Sequence, residues 1–200
     1  MPLTSSVLTG EPARVRRFVV AAAVALATLC SGDLTASDVS GAGPQVSVRE
    51  DRGVYSVAAR FEIPQSAAQA LAVLSDYERI PRFMPEIRTS VVLSRTAGRI
   101  LVEQEAISRF MMFSKKVHLL LEVTQDDSSL RFVDRCGKSF TTYEGAWRTT
   151  TAAGRTTVLY ELRAQPAFDV PEFILKRLLK RDSVQMIDRL QREIAARAGA

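Results

Sequence analysis

The sequence predicts an α+β domain in which an antiparallel sheet packs against one long helix. Two observations predict this fold class. Between residues 55 and 164, short segments alternate apolar and polar residues and are separated by turns rich in Gly, Asp and Ser, which is typical of antiparallel strands with one buried face. From about residue 172 the apolar residues recur at helical spacing, which predicts a helix long enough to cross a sheet.

The N-terminal segment has the organisation of a secretory signal peptide, predicted over residues 1–36. A basic stretch (14–17) precedes an apolar run (18–29), and cleavage is predicted after Gly32 or Ala36. The run is shorter than the ~20 apolar residues that a membrane-spanning helix needs. We therefore expect an exported, periplasmic protein with a cleaved signal. The alternative is an uncleaved segment that anchors the protein in the membrane.

Small and polar residues over 37–45 predict a linker, and the domain itself is predicted over 46–200. After cleavage Cys136 is the only cysteine, so no internal disulfide can form and the fold depends on its apolar core. A lone cysteine on a strand is usually a small buried residue, and no base is evident beside this one.

The first predicted strand runs from Tyr55 to Ile63, where aromatic and aliphatic residues alternate with polar or small ones. Pro64 ends this strand. Ser66 and Gln69 then have the spacing of a capping box, which predicts the start of a short helix over about 67–75.

The segment from Ser75 to Pro85 predicts a rigid, partly buried elbow between the short helix and the sheet. Pro81 and Pro85 do not fit inside a regular helix or a central strand. The aromatic and apolar residues around Pro81 distinguish this segment from a solvated linker.

The remaining chain predicts an antiparallel meander and then the long helix, with six to seven strands in the sheet. The later predicted strands cover residues 91–94, 100–107, 115–124, 130–135, 142–150 and 156–164. The helix is expected to have Asp169 as its N-cap, with Glu172 three residues later, and to end near Ala196. The apolar stripe in the second half of this helix is rotated about the helix axis relative to the stripe in the first half. We therefore expect the helix to curve or kink so that both halves are buried.

Four passages resemble a known family. They are Phe61–Pro64, Leu74–Tyr77 together with Phe83–Pro85, Tyr143–Trp147 (YEGAW), and Phe173–Leu179. On these residues the chain resembles the START-like (SRPBCC, helix-grip) superfamily over about 46–197, and within it the polyketide cyclase/dehydrase and coenzyme-Q-binding branch. The resemblance implies a curved antiparallel sheet that grips the last helix, with an apolar cavity between them. It also implies a lipid, quinone, sterol or polyketide as ligand, and catalysis in only some members.

The inward-facing positions supply the candidate ligand contacts, because one helix cannot cover so broad a sheet without leaving gaps. The small residues Ala59, Ala106 and Gly145 would leave room for a ligand. The alternative is a core that side chains fill completely. The predicted cavity residues are Tyr55, Val57, Phe61, Tyr77, Phe83, Val102, Gln104, Leu119, Phe132, Tyr143, Trp147, Tyr160, Leu178 and Asp182.

Two of these candidates are polar and need partners once they are buried. Gln104 has the inward parity of its strand, between Val102 and Ala106, and would bond either a ligand carbonyl or a neighbouring side chain. Asp182 lies within the apolar arc of the last helix, where it would pair with an arginine or contact a polar ligand head.

A run of four large apolar residues lies at a predicted hairpin end and is bracketed by cations. The run consists of Phe110, Met111, Met112 and Phe113, with Arg109 before it and Lys115 and Lys116 after it. It is interpreted as a portal or a site of peripheral membrane contact. The alternative is that the run folds back and closes the mouth of the cavity.

The other patterns argue against several functional classes. The net charge of +5 comes without a zinc-ligand spacing or an RNA-binding aromatic motif, so no nucleic-acid partner is expected. The single histidine, His118, has the outward parity of its strand, whereas a general base should face the cavity. No catalytic triad, phosphate loop or metal-ligand cluster is present in the sequence. We therefore expect no metal, no cofactor and no catalytic residue.

The leading hypothesis is that the domain binds a hydrophobic small molecule such as a lipid, isoprenoid or quinone, with transport of that molecule as an extension of the same role. A second hypothesis is a cyclase or dehydrase, for which Asp182, Tyr143 and Tyr160 are the only suggestive acid–base groups. A third is an interaction module with a solid core and no ligand.

Overall fold

One antiparallel sheet provides the framework of the fold. The computed structural model describes residues 43–110 and 113–199. The strands are β1 (Gln45–Asp51), β2 (Val54–Ile63), β3 (Ile87–Thr96), β4 (Arg99–Phe110), β5 (Phe113–Gln125), β6 (Ser129–Asp134), β7 (Phe140–Ala152) and β8 (Arg155–Pro166). Their spatial order is β1-β2-β8-β7-β6-β5-β4-β3. The predicted α+β fold class is confirmed.

The sheet has eight strands instead of six or seven, because Gln45–Asp51 pairs with β2 as an edge strand. From β3 to β8 each strand pairs with its neighbour in sequence. The exception is the pairing of β2 with β8, which sets Tyr55 opposite Ala164 and Ile63 opposite Thr156. This seam joins the N-terminal hairpin to the meander.

The capping box predicted at the first helix is present. The helix α1 spans Ala67–Leu74. The backbone N–H of Gln69 donates to Ser66 Oγ at 3.2 Å, and the backbone N–H of Ser66 donates to Gln69 Oε1 at 3.0 Å. Each side chain thus satisfies a backbone donor that the first helical turn leaves without a partner.

The elbow is helical, which corrects the expectation that its prolines exclude a helix. A 3₁₀ turn, Tyr77–Arg79, leads into α2, Ile80–Phe83. Pro81 lies in the first turn of α2, where the missing N–H removes no helical hydrogen bond. The elbow is partly buried, as expected, with Tyr77 and Met84 in the core.

The last helix, α3, spans Glu172–Ala198 without interruption. Pro171 is its N-cap, and no side chain caps it, so the expected cap at Asp169 is wrong. Its buried residues follow a spacing of three, four or eight: Leu175, Ser183, Ile187, Leu190 and Ile194. Ser183 joins the two halves of the apolar stripe, and the helix keeps one face inward along its length.

Contacts of charged side chains tie the second half of α3 to the elbow and to the start of β3. Arg197 Nη1 contacts Asp76 Oδ2 at 2.7 Å, and the Arg197 guanidinium also lies over the ring of Phe83. Arg189 pairs with Glu86 at the start of β3. These contacts fix the height of α3 above the sheet, where it packs on β1 and β2.

None of the helices within residues 43–110 and 113–199 is long and apolar enough to span a membrane. The predicted signal peptide and most of the predicted linker lie outside the described residues.

Gly145 on β7 allows an aromatic ring to pack against the backbone. Phe132 lies opposite Gly145 in the β6–β7 ladder. A Cβ at residue 145 would come within 2.5 Å of Phe132 Cζ and even nearer to the carbonyl oxygen of Glu161. We expected the small residue Gly145 to leave room for a ligand. The structure shows that Phe132 occupies the space beside it.

We expect Gly145→Ala to lower the free energy of unfolding by about 1–3 kcal/mol, because backbone and ring must both shift to admit the new methyl group. Urea unfolding monitored by circular dichroism measures the change. Gly43→Ala is the control, since nothing lies within 4 Å of its added Cβ. A loss at Gly145 no larger than the loss at Gly43 would contradict this account of the packing.

Candidate ligand-binding site

A cavity lies between the sheet, the elbow and α3, and it has two lobes. The inner lobe, of about 150 Å³, is bordered by α1, the elbow, α3 and strands β3 to β8. The outer lobe, of about 240 Å³, extends under the middle of α3 along β4 and β5. Six residues border both lobes: Met84, Ile87, Gln104, Tyr143, Tyr160 and Met186. The lobes are thus neighbouring parts of one space.

The structure brings nine of the fourteen candidate residues to the cavity. Those that border the inner lobe are Tyr77, Phe83, Gln104, Phe132, Tyr143, Trp147 and Tyr160. Leu119 and Asp182 border the outer lobe, together with Gln104, Tyr143 and Tyr160. Whether these side chains contact a ligand stays a prediction.

The other five candidates lie outside both lobes. Tyr55, Val57 and Phe61 belong to the packed core of β2, where α3 lies close to the sheet. Val102 is completely buried among other side chains, and Leu178 is a partly buried residue of α3. Strand parity identified the inward face of the sheet but not the part of that face that the helix covers.

Several lining residues were missed by the sequence analysis. Ser183 is a small residue within the buried stripe of α3 and borders the outer lobe. Its position four residues before Ile187 was the available signal. Ala106, which was expected to leave room, does border the outer lobe. Glu86 and Arg189 also border it, and no pattern in the sequence paired them.

Gln104 is bonded to a neighbouring side chain. Its Nε2 donates to Ser90 Oγ at 3.0 Å, between β4 and the edge strand β3, and both residues are buried. The two partners expected for Gln104 were a ligand carbonyl and a neighbouring side chain, and the structure shows the side chain. The bond also holds the amide at a fixed position on the border of both lobes.

Two tyrosine hydroxyls line the cavity without partners. Neither Tyr143 nor Tyr160 makes a hydrogen bond through its hydroxyl within the described residues, and neither oxygen is enclosed. Burial raises the pKa of Tyr143 to about 12. Burial, and then the proximity of Tyr143, raise the pKa of Tyr160 well above its ordinary value. Both groups therefore stay protonated at neutral pH and can donate a hydrogen bond.

The hydroxyl of Tyr77 differs from these two because it is enclosed as well as unpartnered. Burial raises the pKa of Tyr77 to about 12, although Arg95 partly opposes this effect. Since its oxygen is shielded from the cavity, Tyr77 contributes its ring and not its hydroxyl to the inner lobe.

Charged residues border the outer lobe. Arg181 Nη2 contacts Asp182 Oδ1 at 2.7 Å, which confirms the expected pairing of Asp182 with an arginine. Burial raises the pKa of Asp182, while Arg181 acts in the opposite direction. Both Asp182 and Glu86 also line a small adjoining surface pocket. This part of the cavity is therefore its polar mouth.

The remaining chemically notable residues lie away from the cavity. His118 faces Glu103 and Glu105 across the β4–β5 ladder, at 3.5 Å from Nε2 and 3.9 Å from Nδ1. Cys136 Sγ lies 3.2 Å from Asp134 Oδ1. Within the described residues no group of three or more His, Cys, Asp or Glu side chains is placed to hold a metal ion.

The predicted portal lies at the β4–β5 hairpin, where Phe110 and Phe113 pair. Met111 and Met112 lie outside the described residues. Nearby, Lys115 Nζ lies 4.5 Å from the centre of the Phe168 ring, just before α3. Membrane contact by this hairpin stays a prediction.

The sheet, the terminal helix and the cavity between them define a START-like, helix-grip protein. A family model described as "Polyketide cyclase / dehydrase and lipid transport" matches residues 63–191. Because this match covers more than half of the chain, the chain belongs to that family. Among curated proteins, none matches the sequence.

Solved structures share the fold at low sequence identity. A START superfamily protein from Mycobacterium smegmatis superposes with a TM-score of 0.61 at 18% identity, over 70% of this chain and 97% of its own. The Zhui aromatase/cyclase from a Streptomyces species gives 0.62 at 14% identity, over 72% and 96%. A STAR-related lipid transfer protein from Xanthomonas axonopodis gives 0.61 at 15% identity, over 75% and 98%.

We expect Tyr77→Phe to raise the free energy of unfolding by about 1 kcal/mol, because the enclosed hydroxyl loses its water on folding without gaining a hydrogen bond. Urea unfolding measures the change. Tyr55→Phe serves as the control, because that tyrosine is equally buried but its hydroxyl is not enclosed. A fall of 1 kcal/mol or more for Tyr77→Phe would show that the hydroxyl is bonded in solution and would refute the assignment.

Proposed function

We propose that this protein binds a hydrophobic small molecule in the two-lobed cavity and carries it. The observation on which the proposal depends is the space that remains between the sheet and α3, lined mainly by apolar and aromatic side chains. A ligand there would remove its own apolar surface from water, at roughly 25 cal/mol per Å². The few polar groups would orient it.

Family membership supports this function at the level of ligand class. The family description includes lipid transport, and the similar Xanthomonas protein is a lipid transfer protein by name. A lipid, an isoprenoid or a quinone would suit the apolar lining. A quinone would place this chain with the coenzyme-Q-binding branch that its sequence resembles.

Binding is favoured over cyclase or dehydrase activity, although a similar fold belongs to an aromatase/cyclase. A general base works best when its pKa lies near the working pH. Tyr143 and Tyr160 have raised pKa values and remain protonated. Asp182 borders the polar mouth and is paired with Arg181. This arrangement is better suited to orienting a ligand than to removing its protons.

We expect Ala106→Phe to weaken the binding of N-phenylnaphthylamine, a neutral hydrophobic fluorophore, by about 10-fold, since the new ring occupies the outer lobe. Energy transfer from Trp147, the only tryptophan of the chain and a lining residue of the inner lobe, reports binding of the fluorophore.

Ala152→Phe is the matched control for this experiment, since it adds the same ring at an exposed position near the end of β7. Equal affinities of both variants and the wild type would show that the fluorophore does not occupy the outer lobe. No binding to any of the three proteins would count against the proposed function.

We also propose that the protein is exported with its first 36 residues removed, and that the hairpin containing Phe110 and Phe113 contacts membranes peripherally. A C-terminally tagged chain expressed in a Gram-negative host tests both points. We expect the shortened protein in the periplasmic fraction, with a share on the membranes that a high-salt wash releases. Full-length protein that resists the wash would instead support an uncleaved anchor.

A further inference from the structure

The charged residues that border the cavity are confined to its outer lobe. Within the described residues, the inner lobe is lined by apolar and aromatic side chains and by the amide of Gln104. The outer lobe also carries Glu86, Asp182 and Arg189. Because moving an ion out of water is unfavourable without a counter-charge, the inner lobe favours an uncharged part of a ligand.

Hydrogen-bonding groups meet where the two lobes join. Tyr143 on β7 and Tyr160 on β8 border both lobes, as does Gln104. The two tyrosines lie on the sheet face that is turned toward α3, and a negative charge on Tyr143 would act directly on Tyr160. Both tyrosines and Gln104 therefore present polar groups along the border that the two lobes share.

These two hydroxyls have no bonding partner in the described protein, yet their oxygens remain accessible. Tyr160 is only 5% exposed overall, so the accessible part of its hydroxyl faces the cavity. Buried donors in proteins are nearly always satisfied by a partner. Two protonated hydroxyls that border one space can both donate to an acceptor there, and a carbonyl oxygen has two lone pairs with which to accept both bonds.

We propose that the junction of the lobes is a carbonyl-binding subsite for a neutral ligand, with the hydroxyls of Tyr143 and Tyr160 as its donors. This inference rests on the proposed function. An apolar cavity of ~150 Å³ holds one benzene-sized ring, and the inner lobe has this volume. The ligand class is thus a neutral ketone, ester or quinone-type molecule with a ring in the inner lobe and a chain in the outer lobe.

Two probes that differ only in the carbonyl test the subsite. Octanophenone carries a phenyl ring, a ketone and an alkyl chain in the required order, and octylbenzene lacks the ketone oxygen. We expect the purified protein to bind octanophenone about 10-fold more tightly than octylbenzene by isothermal titration calorimetry, as two hydrogen bonds would give.

The donors are removed one at a time by Tyr143→Phe and Tyr160→Phe. We expect each variant to reduce the preference for the ketone to about 3-fold and the double variant to abolish it. The far-UV circular dichroism spectrum of each variant should match that of the wild type, which shows that each variant is folded. Tyr55→Phe, in a tyrosine outside both lobes, should leave the 10-fold preference intact.

The outcomes separate this proposal from the function on which it depends. Equal binding of both probes by the wild type would overturn the carbonyl subsite and leave hydrophobic binding standing. A preference that survives in the double variant would also overturn it, since the oxygen would then be recognised by other groups. Binding of neither probe would overturn both the subsite and the proposed function.

Discussion

The sheet of the described domain is much wider than the helix that packs against it, and this difference determines where the cavity lies. Eight strands spaced ~4.8 Å apart form a sheet about 34 Å wide, whereas a helix with its side chains is about 10 Å across. The last helix packs against β1 and β2, and the elbow covers part of the far side. The inner face between them is left for the cavity. The position of α3 therefore decides which inward-facing side chains pack together and which surround an open space.

Local sequence patterns predicted most of the fold, because strand alternation and capping depend on neighbouring residues. The errors occurred where local rules allow two outcomes. Gln45–Asp51 has only two apolar residues, since an edge strand is covered on one side. Pro81 disrupts the interior of a helix but fits its first turn. Asp169 had a suitable spacing for a cap, and yet Pro171 starts the helix.

The site was less predictable than the fold, because it depends on distances between elements that are remote in sequence. Parity placed Phe61 and Tyr160 on the same face, although only Tyr160 borders the cavity. Charged side chains are also distributed unevenly. Exposed ion pairs such as Arg148–Glu161 and Arg163–Glu144 span the outer face of the sheet. Each contributes little to stability, while the inner lobe excludes charge altogether within the described residues.

The seam between β2 and β8 also has a kinetic consequence. Strands β3 to β8 can assemble from successive hairpins, which are local and fast to form. The β2–β8 ladder joins segments that are far apart in the chain, so the loss of loop entropy must come before its contacts are gained. Until that ladder and α3 are in place, the concave apolar surface faces water. That interval is when the chain is most exposed to aggregation.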